Sequence, residues 1–487
     1  MRKTLQQVFL ASALLSCLIS CIDKDVYQGN GDDNQGAEHT RYVSYLYPYG
    51  SEAQNVVAEI TLEIDGEINT DMIKAEMPFL KYNKSWLFML TQDDCMHAAY
   101  STTWAAINGK PLSPDPKYYY NAEQLAAGDL PPDVFYLNKT LGSTDGTGNE
   151  VRFAFTTTLS AEEDWMDAEI IVNKGFTDNY YRFHMKSGLT WNNVTEMLSY
   201  GTGIAFHDVN TEAVTREDSI IKHYTLSQQI ILDKLAGRGC KTLAEPNGNK
   251  TYVRAALDYA PIQIMTAQNA GGATDPELER LYPFKVNSDL DKGLLQRVFY
   301  DSSYDIISQI EAQLRKDKQE REAIHVGIHG TDITFAQFLL WLNNWYGKDG
   351  DDSVWVPSLE EYYEYNYYRM YGTITKEVNG NIVTLKISLP SGQYFYYPSV
   401  TVNLSGIREE QIQSIKSNDA VTGLSVGNYE EGLMLNIDCR KYLVEHVTHF
   451  VEKYESSRSQ SNKNDAFYFV NMLKESSVKD ELLQRIQ

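Results

Sequence analysis

The chain has 487 residues, a length that predicts two or three domains and not a single core. Its hydrophobic content of 43% and charged content of 22% are those of an ordinary globular protein. Acidic residues outnumber basic ones by 66 to 43, so the net charge of -23 repels phosphate backbones and argues against nucleic acid as a partner.

The first residues are typical of an export signal. Two basic residues precede an apolar stretch at 8–20, which is too short to span a bilayer. It ends in LISC at Cys21, which resembles a lipobox; LLSC at Cys17 is an alternative match, and a plain cleaved secretory signal is an alternative interpretation. We expect residues 1–21 to be a lipoprotein signal peptide, Cys21 to carry lipid, and residues 22–40 to form a flexible tether. The expected location is the cell envelope, with the lipid anchor holding the chain at the outer membrane, in the periplasm or at the surface.

Apolar segments alternate with helical patterns between residues 81 and 370. Strands are predicted near residue 90 and at 151–159, 201–209, 240–246, 260–267 and 322–330, and helices at 216–239 and 302–321. Strand, helix and strand in succession predict an α/β fold with a mainly parallel sheet.

Two further segments flank this region. Residues 41–80 contain an alternating, half-buried strand pattern and form a predicted N-terminal β segment. Residues 371–487 predict a smaller β-sandwich-like module, with a hairpin around Asn379-Gly380, followed by a polar helical tail. A pairing between the strand near residue 60 and this module is a hypothesis that the sequence leaves open.

Several residues of ligand type lack a pattern that would make a site. Cys95, Cys240 and Cys439 are scattered and give neither a disulfide framework nor zinc-thiolate spacing. His446 and His449 are three residues apart without a third ligand, so we expect them to be surface histidines.

Acids and imidazoles follow several predicted strands at the point where each strand ends. Asp93 and Asp94 follow an apolar run, His207 follows GIAF, Glu245 follows CKTLA, and His329 follows IHVGI. In a parallel α/β sheet these carboxyl ends gather at one edge, where function concentrates. Carboxylates and imidazoles together suit a metal-dependent hydrolase, because they bind the ion and move protons.

Five segments in this order resemble the motifs of the polysaccharide deacetylases of carbohydrate esterase family 4. LFMLTQDDC is similar to the first motif, Thr-Phe-Asp-Asp-Gly, and GTGIAFHDVNT to the second, Gly-His-Glu-Ile-Gly-Asn-His-Thr-x-x-His. LAEPNGN, HVGIHG and GDDSVWVPSLEEYYEY fall at the later motifs. The resemblance covers roughly residues 81–370, and it implies a deformed (β/α) barrel of about seven strands.

The resemblance also implies roles for individual residues. Asp93 would be the general base, Asp94 and His207 metal ligands, and His329 the general acid; the metal would be a divalent transition ion, with zinc as the first choice. The chain departs from the family pattern at three positions. The second metal histidine falls on Thr211, the arginine that orients the catalytic aspartate falls on Glu245, and the glycine of the first motif is Cys95.

Another histidine could replace the missing ligand. His97 lies three residues after Asp94 and would share its helix face, so we include it among the predicted metal ligands. Its alternative is a histidine packed on the helix. His223 is a second candidate on an amphipathic helix, and His325 is expected deeper in the barrel as core or as support for the site.

These observations favour a metal-dependent deacetylase or esterase that removes N- or O-linked acetyl groups from a polysaccharide or oligosaccharide. The expected partner is an acetylated glycan, besides the lipid anchor; the sequence leaves the oligomeric state open. Because two family residues are replaced, a glycan-binding lipoprotein that keeps the scaffold without catalysis is the alternative. A structural surface lipoprotein is a third interpretation, which no exposed apolar stripe supports.

Overall fold

The computed structural model describes residues 55–66, 69, 71–113, 118–168, 172, 183, 188–269, 278–285 and 289–487. The predicted signal peptide, the lipidated Cys21 and the tether lie outside the described residues and stay predictions. Within the described ranges, no helix combines the length and the apolarity needed to cross a bilayer.

Strands and helices alternate through most of the described chain. The strands are β1 (Asn55–Ile64), β2 (Ala75–Glu76), β3 (Trp86–Gln92), β4 (Gly142–Thr144), β5 (Glu150–Arg152), β6 (Thr156–Leu159), β7 (Gly203–Phe206), β8 (Thr242–Ala244), β9 (Ile264–Ala267), β10 (Gly293–Gln296), β11 (Val298–Phe299), β12 (Ile324–Ile328), β13 (Val354–Trp355), β14 (Thr373–Asn379), β15 (Ile382–Pro390), β16 (Ser399–Ser405), β17 (Ile412–Ser417), β18 (Gly423–Tyr429) and β19 (Gly432–Asp438). The helices are α1 (Ala105–Ile107), α2 (Ala122–Ala127), α3 (Trp191–Ser199), α4 (Glu217–Lys234), α5 (Lys250–Asp258), α6 (Ser303–Leu314), α7 (Ile333–Tyr346), α8 (Leu359–Tyr371), α9 (Leu443–Ser457), α10 (Gln460–Val470) and α11 (Ser477–Ile486). Short helical turns lie at Lys81–Asn83, Ala99–Trp104, Asp164–Asp167, Lys318–Glu320 and Glu409–Gln411.

A parallel sheet forms the centre of the structure. Its strands follow the order β10-β9-β8-β7-β6-β3-β12-β11, with β13 also paired to β3. Strands β10 and β11 lie at opposite ends of this order, yet only Arg297 separates them in the chain. The sheet must therefore curl until its two edges nearly meet, which makes a barrel. Every residue of β3 is buried, as expected for a strand covered on both faces.

The predicted α/β fold with a deformed barrel is confirmed, with eight strands on the main path where about seven were expected. Strands β10 and β11 were not predicted, and the predicted strand at 151–159 is divided between two sheets. Its first residues belong to β5, which pairs with β4 in a separate hairpin, and only β6 enters the barrel. The domain boundaries at residues 80 and 370 stay predictions.

Two antiparallel sheets lie beside the barrel, in the orders β14-β15-β1-β17 and β18-β19-β16-β2. Alternate residues of both sheets, such as Ile60, Leu385, Val402 and Leu435, belong to one buried cluster, which is the pattern of a sandwich. Strand β1 pairs with β15 and β17, which confirms that the strand near residue 60 joins the C-terminal strands. The predicted hairpin is also present, and Gly380 supplies the left-handed φ of +63° at its turn.

The C-terminal helices pack into the same core as the barrel. Val447, Phe450 and Val451 on α9 are buried, and the Phe450 ring stacks on Phe469 of α10 with centroids 3.8 Å apart. The expectation of surface histidines is wrong for His446, which is only 5% exposed and donates from Nε2 to the Ser199 carbonyl oxygen at 2.8 Å. The apolar residues of α9 recur every three or four positions, so its charged residues form only one face of a packed helix.

Candidate functional site

The predicted site residues gather at the carboxyl edge of the barrel. Strands β3 and β12 pair in parallel with Gln92 opposite Ile328, so Asp93 and His329 follow neighbouring strands at the same level. The backbone N–H of Asp93 donates to the Ile328 carbonyl oxygen at 2.8 Å, which extends this ladder to the site itself. His207 follows β7 at the same edge because all these strands run parallel.

A sharp turn gives the two adjacent acids different surroundings. Asp94 and Cys95 both adopt left-handed backbone conformations, with φ of 62° and 48°. The Asp93 side chain is consequently buried, whereas the Asp94 side chain is 51% exposed. Cys95 is buried at the position of the family's glycine, and its backbone N–H donates to Thr158 Oγ1 at 3.1 Å.

His207 directs one ring nitrogen at both acids. Its Nδ1 donates to the Ala244 carbonyl oxygen at 2.7 Å, which fixes the ring and leaves Nε2 facing the site. Nε2 lies 3.3 Å from Asp94 Oδ1 and 3.9 Å from Asp93 Oδ2.

The charges of the site shift the protonation of this pair. Burial opposes a charge on His207, but Asp93 and the hydrogen bond to Asp94 outweigh it, so the pKa of His207 is raised above its ordinary value. The hydrogen bond from His207 outweighs partial burial at Asp94, and the pKa of that carboxyl group is lowered.

Arg297 is a site residue that sequence reasoning missed. Its side chain is 1% exposed; Nη1 donates to Asp93 Oδ1 at 2.5 Å, and Nη2 donates to the Glu245 carbonyl oxygen at 2.6 Å. In the family, the arginine that orients the aspartate stands at the position of Glu245, after β8. In this chain Arg297, between β10 and β11, contacts that aspartate instead. The signal in the sequence was one basic residue inside the otherwise uncharged run GLLQRVF.

Glu245 itself turns its carboxylate away from Asp93. Oε1 lies 3.4 Å from Lys250 Nζ, and Oε2 accepts from the Gln268 backbone N–H at 3.4 Å. Burial raises the pKa of the Glu245 carboxyl group. Its contribution to the site is therefore its backbone carbonyl oxygen, which fixes Arg297.

His329 lies at the exposed rim of the site. Its side chain is 58% exposed, and Nε2 lies 3.9 Å from Asp94 Oδ2. The ring packs on Phe299 with centroids 4.9 Å apart, while the backbone carbonyl oxygen accepts from Gln92 Nε2 at 3.0 Å. Both contacts hold the imidazole beside the acids and leave its outer edge open to a substrate.

The structure does not bring His97 to this cluster among the described contacts. The left-handed turn at residues 94 and 95 interrupts the helix face that His97 was expected to share with Asp94. His97 is buried, with Nε2 3.3 Å from Asn193 Nδ2 and its ring beside Tyr119, and burial lowers its pKa to about 4. Its role as a metal ligand stays a prediction, but the shared helix face on which that prediction rested is absent.

His223, the second candidate for the missing ligand, is also engaged elsewhere, and so is Thr211 at the position of the family's histidine. His223 Nδ1 lies 2.7 Å from Glu162 Oε2, and Thr211 Oγ1 lies 3.0 Å from Ser219 Oγ. His325 is buried in the barrel, as expected, with Nε2 2.9 Å from Thr91 Oγ1. Burial, with Arg297 nearby, lowers the pKa of His325 to about 3.

The donor chemistry of the cluster fits a divalent transition metal in part. A carboxylate and an imidazole converge at Asp94 and His207, and the second nitrogen of that imidazole already has a carbonyl partner, as is usual for a metal-binding histidine. Within the described residues, no group of three or more histidine, cysteine or acidic side chains has the arrangement of a complete metal site.

Fold and cluster together define the class of (β/α)-barrel proteins whose polar groups meet at the carboxyl ends of the strands. The model of the family described as "Putative polysaccharide deacetylase" matches residues 58–487, and the chain belongs to this polysaccharide deacetylase family. The match includes most of β1, the sandwich strands and the C-terminal helices, and so extends beyond the segment 81–370 in which the motifs lie. No curated protein matches the chain.

Proposed function

We propose that this protein is a metal-dependent hydrolase that removes acetyl groups from a glycan. The observation that carries the proposal is the convergence of two differently placed acids. Arg297 holds the buried Asp93, while His207 faces the exposed Asp94. Family membership supports a glycan as the substrate and deacetylation as the reaction.

Asp94 and His207 are the residues that would hold the ion, with zinc as the ion best suited to mixed carboxylate and imidazole ligands. A divalent ion there would polarise the acetyl carbonyl group and make a water molecule more acidic. Because Nδ1 donates to the Ala244 carbonyl oxygen, Nε2 is the nitrogen that would bind the ion, after giving up the proton that it donates to Asp94 in the metal-free site.

Asp93 would take the proton of the attacking water as general base. Arg297 binds Oδ1 of this carboxylate and leaves Oδ2 on the side of His207, so one oxygen remains for proton transfer. The water oxygen forms a bond to the acetyl carbon, and the proton moves to Asp93. Burial excludes bulk water from this carboxylate and fixes its direction.

His329 would complete the reaction as general acid. When the bond between the acetyl carbon and the sugar oxygen or nitrogen breaks, the leaving group keeps the electron pair and needs a proton. His329 is exposed at the rim beside Asp94 and meets this requirement. The products are acetate and a free hydroxyl or amino group on the glycan.

The proposal is tested by elemental analysis of the purified chain together with acetate release from acetylated oligosaccharides. We expect about one transition metal per chain, loss of that metal in His207→Ala, and acetate release by the parent chain. His223→Ala is the matched control, since this histidine pairs with Glu162 away from the cluster and should leave the metal content unchanged. A chain that neither binds zinc nor releases acetate would refute the proposal.

Arg297→Gln should reduce kcat about 100-fold, the lower range for a general base, while KM changes little. Glutamine is uncharged and lacks the guanidinium group that donates to both Asp93 Oδ1 and the Glu245 carbonyl oxygen. Asp93 therefore loses its orientation as general base. The measurement is steady-state acetate release, with Arg315→Gln as control because that arginine, directly after α6, is 76% exposed. An unchanged kcat would show that Arg297 has no positioning role; circular dichroism would confirm that the variant is folded.

A further inference from the structure

A polar groove lies at the edge of the barrel opposite the candidate site. Its barrel-side walls come from Asn108, which follows α1, from residues 348 and 349, which follow α7, and from β5, which precedes β6. Helices that follow parallel strands return toward the amino ends, so these walls lie away from the strand ends that carry Asp93 and His207. Helix α10 with the following Asn471, and the loop at residues 136–140, form the remaining walls. The groove has a volume of about 770 Å³.

The charged side chains of the groove neutralise one another. Lys139 Nζ lies 2.8 Å from Asp349 Oδ2, and Arg152 Nη1 lies 2.6 Å from Asp465 Oδ1. Lys348 and Glu150 form a third pair. The groove therefore presents almost no net charge, although the whole chain carries -23, and it favours an uncharged ligand over an ionic one.

The remaining polar groups suit a ligand rich in hydroxyl groups. Asn138, Asn464, Asn471 and Gln460 line the groove with carboxamides, each of which can both donate and accept hydrogen bonds. Sugar hydroxyl groups have the same dual capacity. Across the part of the chain that the structure describes, no hydrogen bond engages the side chains of Asn138 or Asn471, so both are available to a ligand.

An exposed aromatic ring completes the groove. Tyr136 is 47% exposed beside these carboxamides, and within the described residues its hydroxyl group makes no hydrogen bond. A tyrosine ring offers apolar area with a polar tip, which matches the alternation of C–H faces and hydroxyl groups on a sugar ring. The groove volume also falls within the range of about 300–1,000 Å³ that is usual for small-ligand sites.

We propose that this groove binds a neutral polysaccharide segment at a second site that takes no part in the acetyl transfer to water. Tyr136 stacks on a sugar ring, and the carboxamides of Asn138 and Asn471 bind its hydroxyl groups. Such a site holds one segment of the polysaccharide on the protein while another segment of the same polysaccharide occupies the candidate active site. This raises the effective concentration of substrate at that site. The proposal does not depend on the metal or on turnover.

The test is calorimetric titration with three soluble neutral polysaccharides: acetylated arabinoxylan, acetylated glucomannan and laminarin. The titrations use the whole purified chain with Asp94→Asn, so that no substrate is consumed. We expect saturable binding to at least one polysaccharide, and about tenfold weaker binding when Tyr136→Ala and Asn471→Ala are added. On a chain with native Asp94, the same two substitutions should leave hydrolysis of 4-nitrophenyl acetate unchanged.

Two single variants make the result specific. Tyr136→Phe keeps the ring and should retain most of the affinity. Tyr371→Ala removes a tyrosine of similar exposure, 45%, that does not line the groove, and it should leave the affinity for the polysaccharides unchanged. Equal affinity with and without the double substitution Tyr136→Ala and Asn471→Ala would overturn the proposal. So would the absence of saturable binding to all three polysaccharides. Thermal melting shows that each variant is folded.

Discussion

Replacing Asp94 with asparagine should lower acetate release about 1,000-fold, because the loss of several kcal/mol of transition-state stabilisation has this effect on a rate. Asparagine keeps nearly the same shape and tolerates the left-handed φ of 62°, so the substitution removes the charge and leaves the turn in place. The variant should also lose its bound metal, because Asp94 is the proposed carboxylate ligand. The measurement combines kcat on an acetylated oligosaccharide with elemental analysis.

The matched control is Asp419→Asn, an exposed aspartate in the sandwich that has no part in the proposed site. It should retain full activity and metal content. Retained acetate release in Asp94→Asn would refute the assigned site. Lost activity with retained metal would instead make Asp94 a proton-transfer or positioning residue and move the metal to other ligands.

Replacing Asp465 with alanine should destabilise the folded chain by about 3–5 kcal/mol, the usual cost of removing one partner from a buried ion pair. Asp465 lies on α10 and is 1% exposed. Its Oδ2 accepts from Lys110 Nζ at 2.5 Å and from the Tyr200 hydroxyl group at 2.7 Å, and its Oδ1 accepts from Arg152 at 2.6 Å. The variant would leave both cations buried with less counter-charge. The measurement is the shift of the urea unfolding midpoint.

Glu455→Ala is the control for this effect on the same group of helices. Its partner Arg485 is partly exposed, as Glu455 is, so this surface pair should contribute no more than about 1 kcal/mol. If Asp465→Ala shifted the unfolding midpoint no more than this control, the packing of the C-terminal helices on the barrel would not depend on the ion pairs of Asp465 with Lys110 and Arg152.

The same aspartate predicts a pH dependence. Burial opposes a charge on Asp465, but Lys110 and Arg152 outweigh it and lower the pKa of Asp465 from 3.8 to about 2 in the folded chain. A lowered pKa stabilises the folded state above the unfolded pKa, and the contribution is lost as the pH falls from about 4 to about 2. In Asp465→Asn, unfolding free energy should therefore fall less over this window than it does in the parent chain.

Some features of the molecule could be read from neighbouring residues alone. The parallel sheet follows from apolar runs alternating with helical patterns, and the hairpin follows from Asn379-Gly380 between two strands. The strand-end position of Asp93, Asp94 and His207 follows in the same way. These features depend on periodicity and turn chemistry within a few residues, which the sequence states directly.

The polar appearance of the tail shows where local reading failed. More than half of the residues of α9 and α10 are polar or charged, but Phe450 and Phe469 face inward and pack in the barrel cluster. The spacing of these apolar residues was visible in the sequence. The surface that these residues pack against could not be predicted, because no local pattern identifies the partner of an apolar helix face.

The sequence by itself determined the parallel α/β class, the strand-end acids and His207, because these rest on local periodicity. The barrel was predicted from the resemblance of its motifs to those of the deacetylase family. Only the tertiary structure decided which side chains meet. Arg297 reaches Asp93 across 204 positions because the sheet closes there, and the left-handed turn at Asp94 separates the two acids and removes His97 from them. Such contacts depend on strand order and on the curvature of the sheet, which are properties of the whole chain and not of any short segment.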